Sequence, residues 1–295
     1  MLDAIFSAAF LWQTLRISVA YALPALGATF SERGGVVNVG LEGMMLIGAF
    51  AATVGTYVTG SPLAGIAAGI AAGSAVALLH AVVAVRFGAD QIVSGIAVNL
   101  LAIGLTKFTC QLVFDSSSNS ARIAGIDRWG SCLPSGLSPF IVLTVFLLVV
   151  ANIVLFRTPF GLRLRAVGEH PRAADSLGIN VFSVRFAGVL ISGAMAGLGG
   201  TWLALDQHSF TDGMTAGRGY IALAAMIVGK WNPNGAVAAC VLFGLAESLS
   251  VQLQGSSIPT QLVQVIPYIL TMVVLAGFIG KSTPPAADGI PYERD

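Results

Sequence analysis

PFIVLTVFLLVVANIVLF at residues 139–156 runs directly into RTPFGLRLRAVGEHPRAADSLGINVFSVR at residues 157–185. The boundary between the two decides the class of the molecule. The first stretch has no charged side chain, and its length is close to the roughly 20 apolar residues that carry a helix across a bilayer core. The second holds Arg157, Arg163, Arg165, Arg172 and Arg185. An uncharged run abutting a cluster of arginines marks a membrane helix meeting the cytoplasm, where Lys and Arg accumulate.

The remainder of the chain follows the same pattern. Of 295 residues, 56% are hydrophobic and only 10% charged, and mean hydropathy is +0.84. Soluble domains carry about 25% charged residues, so this chain lacks the side chains to cover a water-facing surface. Apolar windows fall at Ile5–Phe30, Val36–Val58, Leu63–Val85, Ile92–Phe114, Pro139–Phe156, Val184–Leu205, Gly213–Gly229, Ala236–Leu253 and Leu262–Ile279. The expectation is an all-α integral membrane protein, one polytopic helical bundle of about nine spans (roughly eight to ten) over residues 1–295. The window 213–229 is short and opens on a polar, Gly-rich stretch, which also fits a re-entrant or broken helix.

Placing 157–185 in the cytoplasm and alternating outward puts Arg33, Arg86, Lys230, Lys281 and Arg294 inside as well. Only Arg122, Arg128 and Arg218 fall outside. The C-terminus is then expected to be cytoplasmic. Gly65, Gly69 and Gly73 share one helical face, as do Gly193 and Gly197, which is the pattern of close helix crossings.

Net charge is +1, so no basic field suggests nucleic acid. His80, His170 and His208 lie far apart without partners at metal-ligand spacing. No catalytic constellation stands out, and no G-x-x-x-x-G-K-[ST] phosphate loop is present. Any ATP drive must therefore come from another subunit. Cys110, Cys132 and Cys240 show no CxxC pattern. A disulfide between Cys110 and Cys132 is one reading, and three inert small apolar residues is the other.

The hydrophilic segment Thr158–Asn180 suits one or two short helices at the membrane surface, with Pro171 placed to open the second. Such a protrusion serves either as a docking element for another protein or as an ordinary positive-inside loop. Its sequence, GLRLRAVGEHPRAADSLGIN, resembles the cytoplasmic coupling loop of permease subunits in the branched-chain amino acid and simple-sugar class of ABC importers. SERGGVVNVGLEGMMLIGAFAA, ADQIVSGIAVNLLAIGLT, GMTAGRGYIALAAMIVGKWNPNGA and IPTQLVQVIPYILTMVVLAGFIGKSTPPAA resemble the branch serving nucleoside uptake. The resemblance implies a transport subunit of a bacterial inner membrane, with no cofactor of its own. ATP would bind partner ATPase subunits, a second and different permease would complete the pathway, and an extracytoplasmic binding protein would deliver solute. It also implies a coupling loop at residues 157–184, with Gly161, Arg163, Arg165, Gly168, Glu169, Arg172, Ala173, Ala174 and Gly178 at the ATPase contact.

Polar groups within spans are functional candidates by default. Asn38 and Glu42 would share a face if that segment is helical, and Asn99 sits mid-span. A nucleoside path needs amides, hydroxyls and aromatics, so Asn38, Glu42, Asn99 and Phe108 are its candidates. Helix-tying hydrogen bonds are the competing role for the amides and carboxylates. Arg16 and Lys107 would snorkel, or pair with Glu42 or Glu247. The alternative function is an ion-coupled secondary transporter, which would draw on Glu42 and Glu247.

Overall fold

The structure, a computed structural model, describes residues 7–125, 138–254 and 283–293 and the isolated positions 265, 269, 272 and 273. Among the described residues the helices are, in order, α1 (Ala8–Arg33), α2 (Leu41–Thr59), α3 (Pro62–Ala81), α4 (Gln91–Phe114), α5 (Pro139–Arg157), α6 (Pro159–Glu169), α7 (Pro171–Ser176), α8 (Val181–Gln207), α9 (Arg218–Val228) and α10 (Pro233–Leu253). A π turn, Val82–Arg86, extends α3.

Local chemistry sets the helix starts. Proline opens α3, α5, α6, α7 and α10, where its missing N–H would have no intrahelical partner anyway. Asp90 accepts from the Ile92 and Val93 amides at 2.9 Å. Thr158 and Asn180 cap α6 and α8 in the same way.

Among the described residues, six helical segments are long and apolar enough to cross a membrane: Leu41–Thr59, Pro62–Arg86, Gln91–Phe114, Pro139–Arg157, Val181–Gln207 and Pro233–Leu253. The expected count of about nine is not reached among them. α1 is long enough at 26 residues but falls outside this set, and its residues from Ser18 to Glu32 are buried without interruption. It runs through the protein interior, packed by α8, α10 and α9. The expected window 213–229 contracts to α9, 11 residues or about 16 Å at 1.5 Å per residue, half a bilayer core. Its polar approach contains Gly213, Ala216 and Gly217 at positive φ, which ends helical continuity. The window 262–279 lies outside the described residues, as does Cys132. Cys110 and Cys240 are buried free thiols.

The glycine faces become a three-helix crossing. A Cβ on Gly48 of α2 would lie 2.5 Å from the Gly197 Cα of α8, and one on Gly73 of α3 would lie 2.7 Å from the same atom. Backbones meet where side chains are absent. By contrast, α4 and α5 turn Leu100, Phe108 and Phe146 outward, as helices facing lipid or another subunit do.

α8, 27 residues and therefore about 40 Å long, connects two polar faces. On one lie α6, α7, the end of α1 and residues 283–293, where the Ala287 amide donates to Gly168 O at 2.9 Å. On the other, the Ser120 amide donates to Phe210 O at 2.9 Å and the Ile123 amide to His208 O at 2.8 Å.

Candidate functional site

The broken helix α9 is held at its start by side chains from α2 and α4. Glu42 Oε1 accepts from the Gly217 amide at 2.8 Å and Oε2 from the Gly219 amide at 2.7 Å. A carboxylate thus satisfies the free N–H groups of the half-helix and opposes its dipole. Gly219 permits this approach, since a Cβ there would sit 2.5 Å from the Glu42 amide nitrogen. Asn99 is 4% exposed. Its Oδ1 accepts from the Gly43 amide at 2.8 Å, and its Nδ2 donates to Val39 O at 3.0 Å and to the Tyr220 hydroxyl at 2.8 Å. Beside it, Arg218 pairs with Glu247 at 3.0 Å, and the Tyr21 hydroxyl donates to the other Glu247 oxygen.

The fold therefore brings Glu42 and Asn99 together but separates the other two path candidates. Helix α2 begins only at Leu41, so Asn38 and Glu42 share no helical face. Asn38 is fully buried and donates to Ser192 Oγ at 3.0 Å. Phe108 is nine residues from Asn99, half a turn out of phase, and 63% exposed on the outer side of α4. Tyr220 is a member of this network that sequence reading missed. Arg16 and Lys107, read as snorkelling or pairing with Glu42 or Glu247, instead meet Asp206 at 2.6 Å and Asp212 at 3.0 Å. Arg16 and Asp206 border a cavity of 630 Å³ with Trp12, Gln13, Gln207 and Arg218.

On the face of α6 and α7, the residues of the expected coupling loop divide by exposure. Arg163, Glu169, Arg172, Ala173 and Gly178 are exposed, Arg165 is half-buried, and Gly161, Gly168 and Ala174 are buried. Arg165 lies over the Phe156 ring, 5.2 Å from its centre. Gly168 sits where a Cβ would be 2.2 Å from Arg33 O, so α6 presses its backbone on the end of α1. Gly178 takes φ +81° and stops α7 with its amide on Asp175 O at 2.8 Å. Leu162 and Leu177 project from the two helices at 62% and 81% exposure. Apolar side chains this bare on a hydrophilic protrusion suit docking against another surface.

Residues 285–293 also belong to this face, which the loop sequence did not reveal. The Ala286 amide donates to Glu169 Oε2 at 3.1 Å. Arg185, 1% exposed, donates from Nη1 to Ile290 O at 2.9 Å and from Nη2 to Ala287 O at 3.4 Å. The Tyr292 ring packs on Phe182. Asp288 faces Glu32, and burial pushes the Asp288 carboxyl up to about 7 against the opposing pull of Glu32, Arg185 and the Gly289 amide. The Trp231 indole donates to Glu32 Oε2 at 2.6 Å.

Comparison with known proteins gives the arrangement a family. Residues 10–275 match the profile described as branched-chain amino acid transport system / permease component. The chain is 43% identical over 306 residues to the guanosine ABC transporter permease protein NupQ of Bacillus subtilis, covering 95% of this chain and 94% of that one. It is 42% identical over 308 residues to the nucleoside ABC transporter permease protein NupC of Lactococcus lactis subsp. cremoris, covering 95% and 97%. Among solved structures, an ABC transporter described as of the metal-chelate type, in an inward-facing conformation, superposes with a TM-score of 0.51 at 18% identity, over 93% of this chain and 88% of the other. At that identity the likeness speaks for the fold alone.

Proposed function

The chain belongs to the branched-chain amino acid transport system permease component family, and from that membership we propose that it is a membrane-spanning permease subunit of an ABC importer for nucleosides. The observation that carries the reading is the α6–α7 hairpin, wedged by Gly168 against Arg33 O and bearing the exposed Leu162 and Leu177. It is built to be pushed by a partner. The nucleoside assignment is supported by near full-length identity to relatives named for guanosine and nucleoside transport.

In this reading ATP is hydrolysed on partner subunits that dock on the cytoplasmic face, at the coupling loop 157–184. Gly161, Gly168 and Ala174 set the packing of the loop. Arg163, Glu169, Arg172 and Ala173 present its chemistry, and electrostatic complementarity there fixes register with the partner. A second permease and an extracytoplasmic binding protein complete the importer. Glu42 and Asn99 act by fixing the broken helix α9 beside the path. An ion-coupled mechanism is disfavoured because the carboxylates it would use are committed: Glu42 to the α9 amides, Glu247 to Arg218 and Tyr21.

The test is purification of the tagged chain in mild detergent from its own host, with uptake of tritiated guanosine measured in the same cells. Co-purification of an ATP-binding subunit, and loss of uptake when that subunit is inactivated, supports the proposal. A chain that purifies alone and drives uptake from an ion gradient overturns it.

A further inference from the structure

Contacts join residues 285–293 to three elements of the bundle. The first is α6: the Ala287 amide binds Gly168 O at 2.9 Å and the Ala286 amide binds Glu169 Oε2 at 3.1 Å. The second is α8, where the Arg185 guanidinium holds the carbonyls of Ile290 and Ala287. The third is α1, where the carboxyl of Asp288 faces that of Glu32. Glu32 in turn accepts from the Trp231 indole at 2.6 Å, while Arg33 donates to Trp231 O at 2.8 Å.

Trp231 closes the turn that ends α9. It and its neighbour Lys230 both take positive φ, 53° and 57°, which non-glycine residues adopt only when their surroundings impose it. The turn is closed by the Lys230 and Trp231 amides on Ile227 O and Met226 O, and Glu32 and Arg33 fasten it from outside. Hydrogen bonds thus join Gly168 and Glu169 to the segment and Glu32 and Arg33 to the foot of the half-helix, and between the two sets the Asp288 carboxyl faces Glu32. The head of that same half-helix rests on Glu42 and, through the Tyr220 hydroxyl, on Asn99. An arginine at 1% exposure is costly to bury, and the carbonyls of Ile290 and Ala287 are the hydrogen-bond partners that offset that cost.

We propose that residues 285–293 form a tie that carries movement of the coupling helix α6 to the broken helix α9, with Arg185 as the positioning residue that holds the tie in place. The inference rests on the reading of α6 as the element moved by the ATPase. Without the tie, α6 still meets α1 through the Gly168–Arg33 backbone contact, but its link to α9 through Asp288, Glu32 and Trp231 is gone. The partner's hydrolysis is then disconnected from the helix beside the path. The segment acts within the assembled transporter and need not itself touch the ATPase.

The experiment compares Arg185→Met, Arg185→Lys and a chain lacking residues 285–295, each in the assembled transporter in proteoliposomes. It reads ATP hydrolysis and tritiated guanosine uptake side by side. With the tie broken, uptake per ATP hydrolysed falls about tenfold or more, the scale of a typical coupling free energy. The ATPase subunit still co-purifies, and Arg185→Lys, which keeps one donor group in place, recovers part of the ratio. A merely structural role would lower uptake and hydrolysis together and leave the ratio unchanged, which overturns the proposal. So does loss of the ATPase subunit from the purified complex, since the segment would then serve assembly. Removal of 285–295 leaves every described helix intact and carries the test should Arg185→Met fail to insert. If the unmodified chain retains no ATPase and its uptake ignores ATP, the importer reading itself fails, an outcome separate from any effect of the tie.

Discussion

Trp231 and Glu32 meet at 2.6 Å, indole nitrogen to carboxylate oxygen, so the turn that ends the half-helix α9 is fastened to the last turn of the central helix α1. The opposite end of α9 rests on Glu42. A helix of this length cannot cross a bilayer alone, and its position is fixed from outside itself, by side chains of α1, α2 and α4.

Replacing Glu42 by Ala removes two hydrogen bonds to the amides of Gly217 and Gly219. The expected loss of stability is roughly 2 kcal/mol, as for a charged cap. Glu42→Gln keeps one acceptor and should lose less. Thermal melting in detergent reads the order wild type, Gln, Ala, and guanosine uptake should fall in the same order.

Gly168→Val places a side chain against Arg33 O, where even a Cβ would be at 2.2 Å. Backbone cannot yield as a flexible side chain does, so α6 must lift from α1. Uptake should drop at least about tenfold while the partner's hydrolysis continues, a loss of coupling. Glu169→Lys, which removes the acceptor for the Ala286 amide, should act in the same direction. Equal uptake per ATP in these variants would remove α6 from the coupling route.

Gly197 lies where α2, α3 and α8 cross, and a Cβ there would be 2.4 Å from Gly69 O. Gly197→Leu should destabilise the bundle by roughly 3 kcal/mol or more, since overpacking at a backbone contact has no easy relief. Gly104 on α4 has nothing within 4 Å, so Gly104→Leu is the control that stays monodisperse. Size-exclusion profiles after mild heating separate the two.

Asp288 titrates at about 7 when docked and near 3.8 when exposed. Between those values the docked segment binds more protons than the released one, so docking weakens as pH rises from about 4 to 7 and changes no further above that. The groups facing Asp288 are the Glu32 carboxyl, the Arg185 guanidinium and the Gly289 amide. A fluorophore on Ala286→Cys should therefore show falling anisotropy between pH 5 and pH 7, with a shallower profile once Asp288→Asn is added. An unchanged slope in that variant would assign the effect to another group.

The sequence by itself determined the helical class, the start of most helices and the character of the 157–185 segment. Those depend on local facts: prolines and caps at fixed offsets, uncharged runs of bilayer length, and arginines gathered at one boundary. It also marked Gly73, Gly193 and Gly197 as contact faces, because a four-residue repeat survives on any helix. The tertiary structure alone decided that α1 is enclosed by protein, since hydropathy reads a lipid-facing and a protein-buried apolar residue alike. It likewise decided that Arg16 and Lys107 pair with Asp206 and Asp212, that Phe108 and Asn99 part company, and that Arg185, counted as a loop charge, is a buried anchor for Ala287 and Ile290. Those pairings join residues up to 190 positions apart. Only the packing of the bundle brings such distant residues together, and for Arg185, at 1% exposure, it leaves no water as an alternative partner.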